Sequence, residues 1–164
     1  MLDKADKQLF KEALGNYPTG VAIVTTINSE GDPVGLTINS FTSLSMDHLL
    51  ILWSIDHQSS SIHTFKQAGK FVIHLLAEDQ KELVRTFSKK DSDRFSEINW
   101  SLSASKLPII EGGIAVFECE TVQTVEAGDH TILIGSVKNI RVEGKSPLLY
   151  HRKIAGSIPL GFHV

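Results

Sequence analysis

The sequence predicts a mainly β fold, a closed or partly open antiparallel barrel with a few peripheral helices. Three observations predict it. Short β-branched and apolar runs recur along the chain, bounded by Gly, Pro, Asn and Ser. The links between them are turns or short helical patterns, without regular alternation of strand and helix. Two long strand patterns, residues 114–125 and 131–142, are separated only by Glu126-Ala127-Gly128-Asp129-His130, a link short enough to favour antiparallel pairing.

The elements follow in order. Ala5, Leu9, Phe10, Ala13 and Leu14 have helical spacing over residues 4–14, and Gly15-Asn16 is a stop signal. Residues 21–26 read as a buried strand, residues 28–33 as a turn, and residues 34–38 as the returning strand of a hairpin. A polar run at 39–45 precedes a strand at 49–55. Ser59-Ser60-Ser61 caps a short helix to about Gln67, closed by Ala68-Gly69. A strand follows at 71–76, and Asp79 is the expected N-cap of a helix reaching Ser88. Residues 89–107 read as loop with at most one turn of helix.

A length of 164 residues favours one domain, 1–164, with its core at about residues 10–150. Such a chain buries about 70% of the surface it exposes when unfolded, so it needs no covalent staples. The apolar fraction of 41% and charged fraction of 21% are ordinary for a globular protein. A net charge of −3 argues against nucleic acid or an anionic membrane as partner, while leaving room for a local phosphate site. The single cysteine, Cys119, excludes an intrachain disulfide and suits a reducing cytoplasm. The N-terminal residues 1–7 are charged and lead into no apolar run of signal-peptide type. The longest apolar stretch, residues 49–53, falls far short of the ~20 residues of a membrane helix. The expected location is the cytoplasm.

Three places have the composition of a site. In residues 37–45, six of nine side chains carry a hydroxyl or carboxamide, although the segment lies between two apolar strands. Such a segment either cradles an anion or the polar edge of a heteroaromatic ring, or is a solvated loop. Ser59-Ser60-Ser61 either binds phosphate at a helix start or merely caps the helix. Gly128-Asp129-His130 either brings an imidazole to a barrel mouth or is a plain turn. Lys89, Lys90 and Arg94 form a small basic group, either a solvated face or a reach toward phosphate. Cys119, inside a strand pattern, is expected in the core rather than as a nucleophile. No zinc spacing, HExxH, GxGxxG, P-loop or GxSxG motif occurs, so no metal site is expected.

An ordered set of motifs spans residues 10–150. It comprises Tyr17-Pro18-Thr19-Gly20-Val21, the stretch from Pro33 to Ser45 and Ser59-Ser60-Ser61. Asp93-Arg94-Phe95, Gly128-Asp129-His130, Gly135-Ser136-Val137 and Pro147-Leu148-Leu149-Tyr150 complete it. By these motifs the chain resembles the flavin reductase-like proteins, which include reductase partners of two-component flavin monooxygenases. The resemblance implies an antiparallel Greek-key split β-barrel, FMN-binding and typically homodimeric. It implies transfer of a hydride from NADH or NADPH to FMN, with FAD as the other candidate, and a possible separate monooxygenase as partner. It aligns Thr37, Ile38, Asn39 and Ser40 with the wall along the flavin ring and ribityl chain, continued by Ser43 and Ser45. It aligns Ser59, Ser60 and Ser61 with the flavin phosphate, Arg94 and Phe95 with the phosphate and adenine side, and His130 with the nicotinamide.

The chain departs from the family pattern at three places, one of them the stretch after Tyr150, with Gly156, Pro159 and Gly161, which is not distinctive. Met46-Asp47-His48-Leu49 stands where Leu-Asp-Pro-Pro is frequent, and His74 stands where asparagine is usual. The alternatives within this resemblance are a flavin-binding protein with little nicotinamide turnover, and a haem-handling or oxidase-type split barrel.

Overall fold

A computed structural model describes residues 3–89 and 93–162. Helix α1 (Lys4–Asn16) leads into β1 (Thr19–Gly20), β2 (Ala22–Ile27), β3 (Pro33–Ile38), β4 (Thr42–Ser45) and β5 (Leu50–Asp56). Then come α2 (Ile62–Ala68), β6 (Lys70–Leu75), a 3-10 turn at Glu78–Gln80 and α3 (Lys81–Ser88). The rest is β: β7 (Trp100–Leu102), β8 (Pro108–Ile110), β9 (Ala115–Ala127), β10 (His130–Val142), β11 (Leu149–His151) and β12 (Ile154–Gly156).

The predicted mainly β, antiparallel fold is the observed one. Seven strands form one sheet in the order β3-β2-β6-β9-β10-β5-β4, and every pairing is antiparallel. The two sides of this sheet come together at Ser40, just past β3. Its hydroxyl donates to Ser54 O of β5 at 3.1 Å and accepts from Ser54 N at 3.0 Å. One side chain thus bridges strands that share no backbone ladder, which makes the barrel partly open. A small sheet, β1-β11-β12, and the hairpin β7-β8 flank it.

Local chemistry explains the hairpins. Asn28 Oδ1 accepts from Glu30 N and Asp32 N, turning the chain between β2 and β3. Gly128, at φ 63°, opens the two-residue turn between β9 and β10. The β9–β10 ladder shifts register between Ile134 and Gly135. There a Cβ on Gly135 would lie 2.5 Å from Phe71 Cζ, so close approach requires glycine.

Inside the barrel, Trp53 meets Phe65 and Phe71 edge to face, with ring centroids 5.0 and 5.7 Å apart. A second cluster outside β3 holds Phe87 and Phe95, also edge to face. Cys119 is buried in the first cluster, as expected, and burial pushes its thiol up to about 12. His74 is fully buried between β2 and β8. Its Nδ1 lies 3.1 Å from Ile23 O and its Nε2 accepts from Ile110 N at 3.1 Å.

The structure corrects four expectations. Helix α1 runs through Gly15 to Asn16, because the chain is forced extended only at Tyr17, ahead of Pro18. Asp79 is not an N-cap: it lies within the 3-10 turn, and α3 starts one residue after Gln80. The polar run at 39–45 contains the edge strand β4, and residues 89–107 contain β7. At Met46–Leu49, His48 and Leu49 have φ of 65° and 38°, a conformation closed to proline, so the missing prolines go with a differently built turn.

Candidate functional site

Strand β3 and the segment running from β5 into α2 border the open seam of the barrel. Near one end Ser40 is bonded to Ser54. Toward the other, Pro33, Val34 and Gly35 of β3 share a pocket of about 210 Å³ with Ser60, Ser61, Asp93, Arg94 and Phe95. The serines, the arginine and the middle of β3 are therefore neighbours, although 59 residues separate Gly35 from Arg94.

The Arg94 guanidinium is well anchored. It donates to Gly35 O, and Nε and Nη2 both donate to Lys89 O, at 2.9 and 2.5 Å. Of the predicted basic group, Lys89 thus supplies a carbonyl, and Lys90 lies outside the described residues. Phe95 lines the same pocket, and its ring is buried between Phe87 and Trp100, so it walls the pocket from within the core. Gly35 permits this packing, since a Cβ there would come 2.8 Å from Phe87.

Ser61 occupies the N-cap of α2 but makes no side-chain capping bond. The capping role is not what its hydroxyl does, and Ser61 is one of the residues that line the small pocket. Ser59 Oγ instead accepts from Ser61 N at 3.3 Å and is not part of the pocket lining.

At the other end of β3 a cleft of about 600 Å³ is lined by Ile38, Asn39, Ser40, Thr19, Gly20 and Pro147, among others. A volume of that size suits a drug-sized or cofactor-sized molecule. Asn39 is exposed, and Thr37 Oγ1 donates to Val84 O at 3.0 Å. Thr37 and Asn39 also border a second recess with Ser88 and Tyr150. Ser43 and Ser45 lie on edge strand β4, outside both the cleft and the recess. The Ser45 hydroxyl donates to Asp47 O at 2.6 Å.

His130 opens β10 directly opposite Asp56 of β5, two residues beyond the Ser54 that holds Ser40. Its Nδ1 is 2.7 Å from Asp129 Oδ1. That bond, and the His130 charge after it, hold the Asp129 carboxyl below its ordinary range. With Nδ1 facing the Asp129 carboxylate, Nε2 is the ring nitrogen left to face a ligand.

The sequence reading missed Thr19 and Gly20 as lining residues, though they stand in the Tyr17–Val21 motif. Thr19 Oγ1 is buried and has no hydrogen-bond partner among the described residues. An orphaned hydroxyl beside a cleft fits a polar ligand edge, and the donor set, hydroxyls and one arginine, fits a phosphorylated flavin. No group of three His, Cys, Asp or Glu among the described residues is arranged to hold a metal. No helix among them is long and apolar enough to cross a membrane.

Known proteins match this architecture closely. The flavin reductase like domain matches residues 14–158. The chain is 44% identical over 142 residues to the reductase component of the flavin-dependent trigonelline monooxygenase of Acinetobacter baylyi, covering 87% of this chain and 46% of that protein. It is 40% identical over 148 residues to a flavin reductase of Pseudomonas putida, covering 90% and 87%. It therefore spans about half of the first relative and most of the second. Among solved structures, the NADH:FAD oxidoreductase SgcE6 of Streptomyces globisporus, in complex with NAD and FAD fragments, superposes with a TM-score of 0.90. That match has 27% identity and covers 99% of both chains. The motifs, the partly open barrel and these matches agree, and the chain belongs to the flavin reductase-like family.

Proposed function

We propose that this chain is an NAD(P)H:flavin oxidoreductase that reduces FMN, or FAD, and supplies the reduced flavin to a separate monooxygenase. One observation carries the reading. A single strand, β3, reaches from the small pocket of Ser60, Ser61 and Arg94 to the cleft of Asn39 and Ser40, and His130 sits on the strand next to the seam. A flavin nucleotide needs this length, with a phosphate site at one end and a ring site at the other.

Bound flavin would supply the redox chemistry, taking a hydride from nicotinamide C4 at its N5. The chain's own residues bind and orient. Backbone groups of residues 37–40, with the Asn39 carboxamide, line the ring and ribityl chain. The Ser60 and Ser61 hydroxyls and the Arg94 guanidinium take the phosphate. His130 Nε2, acting as acceptor, takes a hydrogen bond from the nicotinamide carboxamide and sets the two rings in register. No side chain need move a proton, because hydride transfer depends on alignment. Ser43 and Ser45 support the wall from β4 rather than contacting the ring.

A homodimer is part of the reading. Helix α1 buries none of its residues and exposes Leu9, Phe10 and Leu14, which a second copy would cover. The proposed location is the cytoplasm, where the single buried thiol of Cys119 stays reduced.

The test is NADH or NADPH oxidation that depends on added flavin, measured for the native chain and for His130→Ala. The variant is expected to raise KM for the nicotinamide about tenfold, the loss of one good hydrogen bond, with KM for flavin nearly unchanged. Equal rises in both constants would show that His130 serves the fold or the flavin instead.

A further inference from the structure

Glu126, next to last in β9, ties three elements together. Its Oε1 accepts from Lys66 Nζ of α2 at 2.8 Å. Its Oε2 accepts from Thr131 Oγ1 of β10 at 3.0 Å and lies 3.0 Å from His57 Nε2. Nε2 of His57 is also 3.1 Å from Thr131 Oγ1. The Thr131 hydroxyl donates to the carboxylate, so its oxygen is left to accept from His57 Nε2–H. The His57 backbone joins the same turn, with N donating to Asp129 O at 2.9 Å. Lys66 first, and Thr131 next, hold the Glu126 carboxyl below its ordinary range.

The segments meeting at Glu126 carry different parts of the proposed site. His57 begins the stretch that leads to Ser59–Ser61, and Glu126 stands at the end of β9, just before the Gly128-Asp129 turn that leads to His130. The Glu126 and Lys66 side chains are 58% and 40% exposed, and ion pairs this open contribute little to stability. What such a cluster does well is fix geometry. Apart from it, the hairpin tip is held among the described residues by the β9–β10 ladder, the Asp129–His130 bond and backbone bonds at the end of β5.

We propose that Glu126 is a positioning residue for hydride transfer. Through Lys66, Thr131 and His57 it locks the β9–β10 hairpin end, and so the His130 imidazole, in fixed register with the 57–61 loop. The proposal rests on the nicotinamide role of His130 given above.

The experiment compares Glu126→Ala, Lys66→Ala, the double variant and His130→Ala, measuring nicotinamide KM, FMN affinity and thermal midpoint for each. Glu126→Ala is expected to raise the nicotinamide KM about fivefold, through misalignment rather than a lost ligand contact. FMN affinity should change by less than about twofold, and the midpoint should barely move. Lys66→Ala, which leaves the hairpin untouched, should give a smaller rise in the same constant. The double variant should be no worse than Glu126→Ala alone, since both act through one cluster. Equal shifts in nicotinamide and flavin constants, or none, would overturn the proposal. His130→Ala separates the two levels. If it moves the nicotinamide KM while Glu126→Ala does not, the clamp alone is wrong. If it too leaves that KM unchanged, the role of His130 falls and the clamp falls with it.

Discussion

His74→Leu is expected to destabilise the fold by about 2 kcal/mol, because it strands a buried Ile110 N–H and removes a buried side-chain bond to Ile23 O. His74→Asn is expected to recover most of that loss, since a carboxamide also offers one donor and one acceptor. The histidine further makes stability depend on pH. Burial, the largest influence, lowers its pKa from 6.5 to about 4, so it folds neutral. Between those values the unfolded chain binds a proton that the folded chain does not. Stability is therefore full above pH 6.5 and falls as pH drops toward 4, by at most about 3 kcal/mol from this group. Urea unfolding at pH 7.0, 6.0 and 5.0 checks this: the native chain should lose more stability than His74→Asn over that range. Parallel losses would mean that carboxylates, not His74, set the acid sensitivity.

Arg94→Ala is expected to weaken FMN binding about thirtyfold, the loss of one charge-assisted phosphate contact. Arg94 is also bonded to Gly35 O and Lys89 O, so weaker binding alone would not identify its partner. Riboflavin, which has no phosphate, resolves this. Its affinity should change by less than about threefold in the variant, because the ring and ribityl contacts remain. Arg94→Lys should restore little, as a point charge cannot reach both carbonyls and a phosphate with one planar fork. Equal weakening of FMN and riboflavin would assign Arg94 to holding the β3 edge, not to phosphate.

The fold was readable in the sequence wherever burial and turn chemistry coincide. Strand β2 is apolar and β-branched, the Asn28 turn is marked by Asn, Gly, Asp and Pro, and Gly69 closes α2 at φ 65°. Segments held by pairing instead of burial were not. Strand β4 is largely exposed and polar, and β7 is exposed along its whole length, so neither has a hydrophobic alternation to read. Asp79 carried the expected N-cap chemistry, but a 3-10 turn intervened and its carboxylate faces Lys145 Nζ at 3.5 Å.

The site divides in the same way. Residues 37–40 and His130 were marked by composition and motif because their polarity interrupts apolar strands. That Ser60, Ser61 and Arg94 meet against Gly35 depends on residues 93–95 packing against β3, which no local spacing announces. The packing of Phe95 has no local signal for the same reason: its ring completes the Phe87 cluster, a contact made by the tertiary fold. Glu126 was invisible too, since its partners stand at 57, 66 and 131 and carry no motif.

The central claim is that this chain passes a hydride from a nicotinamide to a flavin, and anaerobic stopped-flow at the flavin absorbance band tests it most directly. Purified protein with FMN or FAD is mixed with NADH or NADPH over a range of concentrations. The account predicts rapid bleaching that saturates with the nucleotide, and the faster pairs identify the preferred flavin and donor. Bleaching no faster than in protein-free solution, with flavin demonstrably bound, would contradict it and leave a flavin-binding protein in its place.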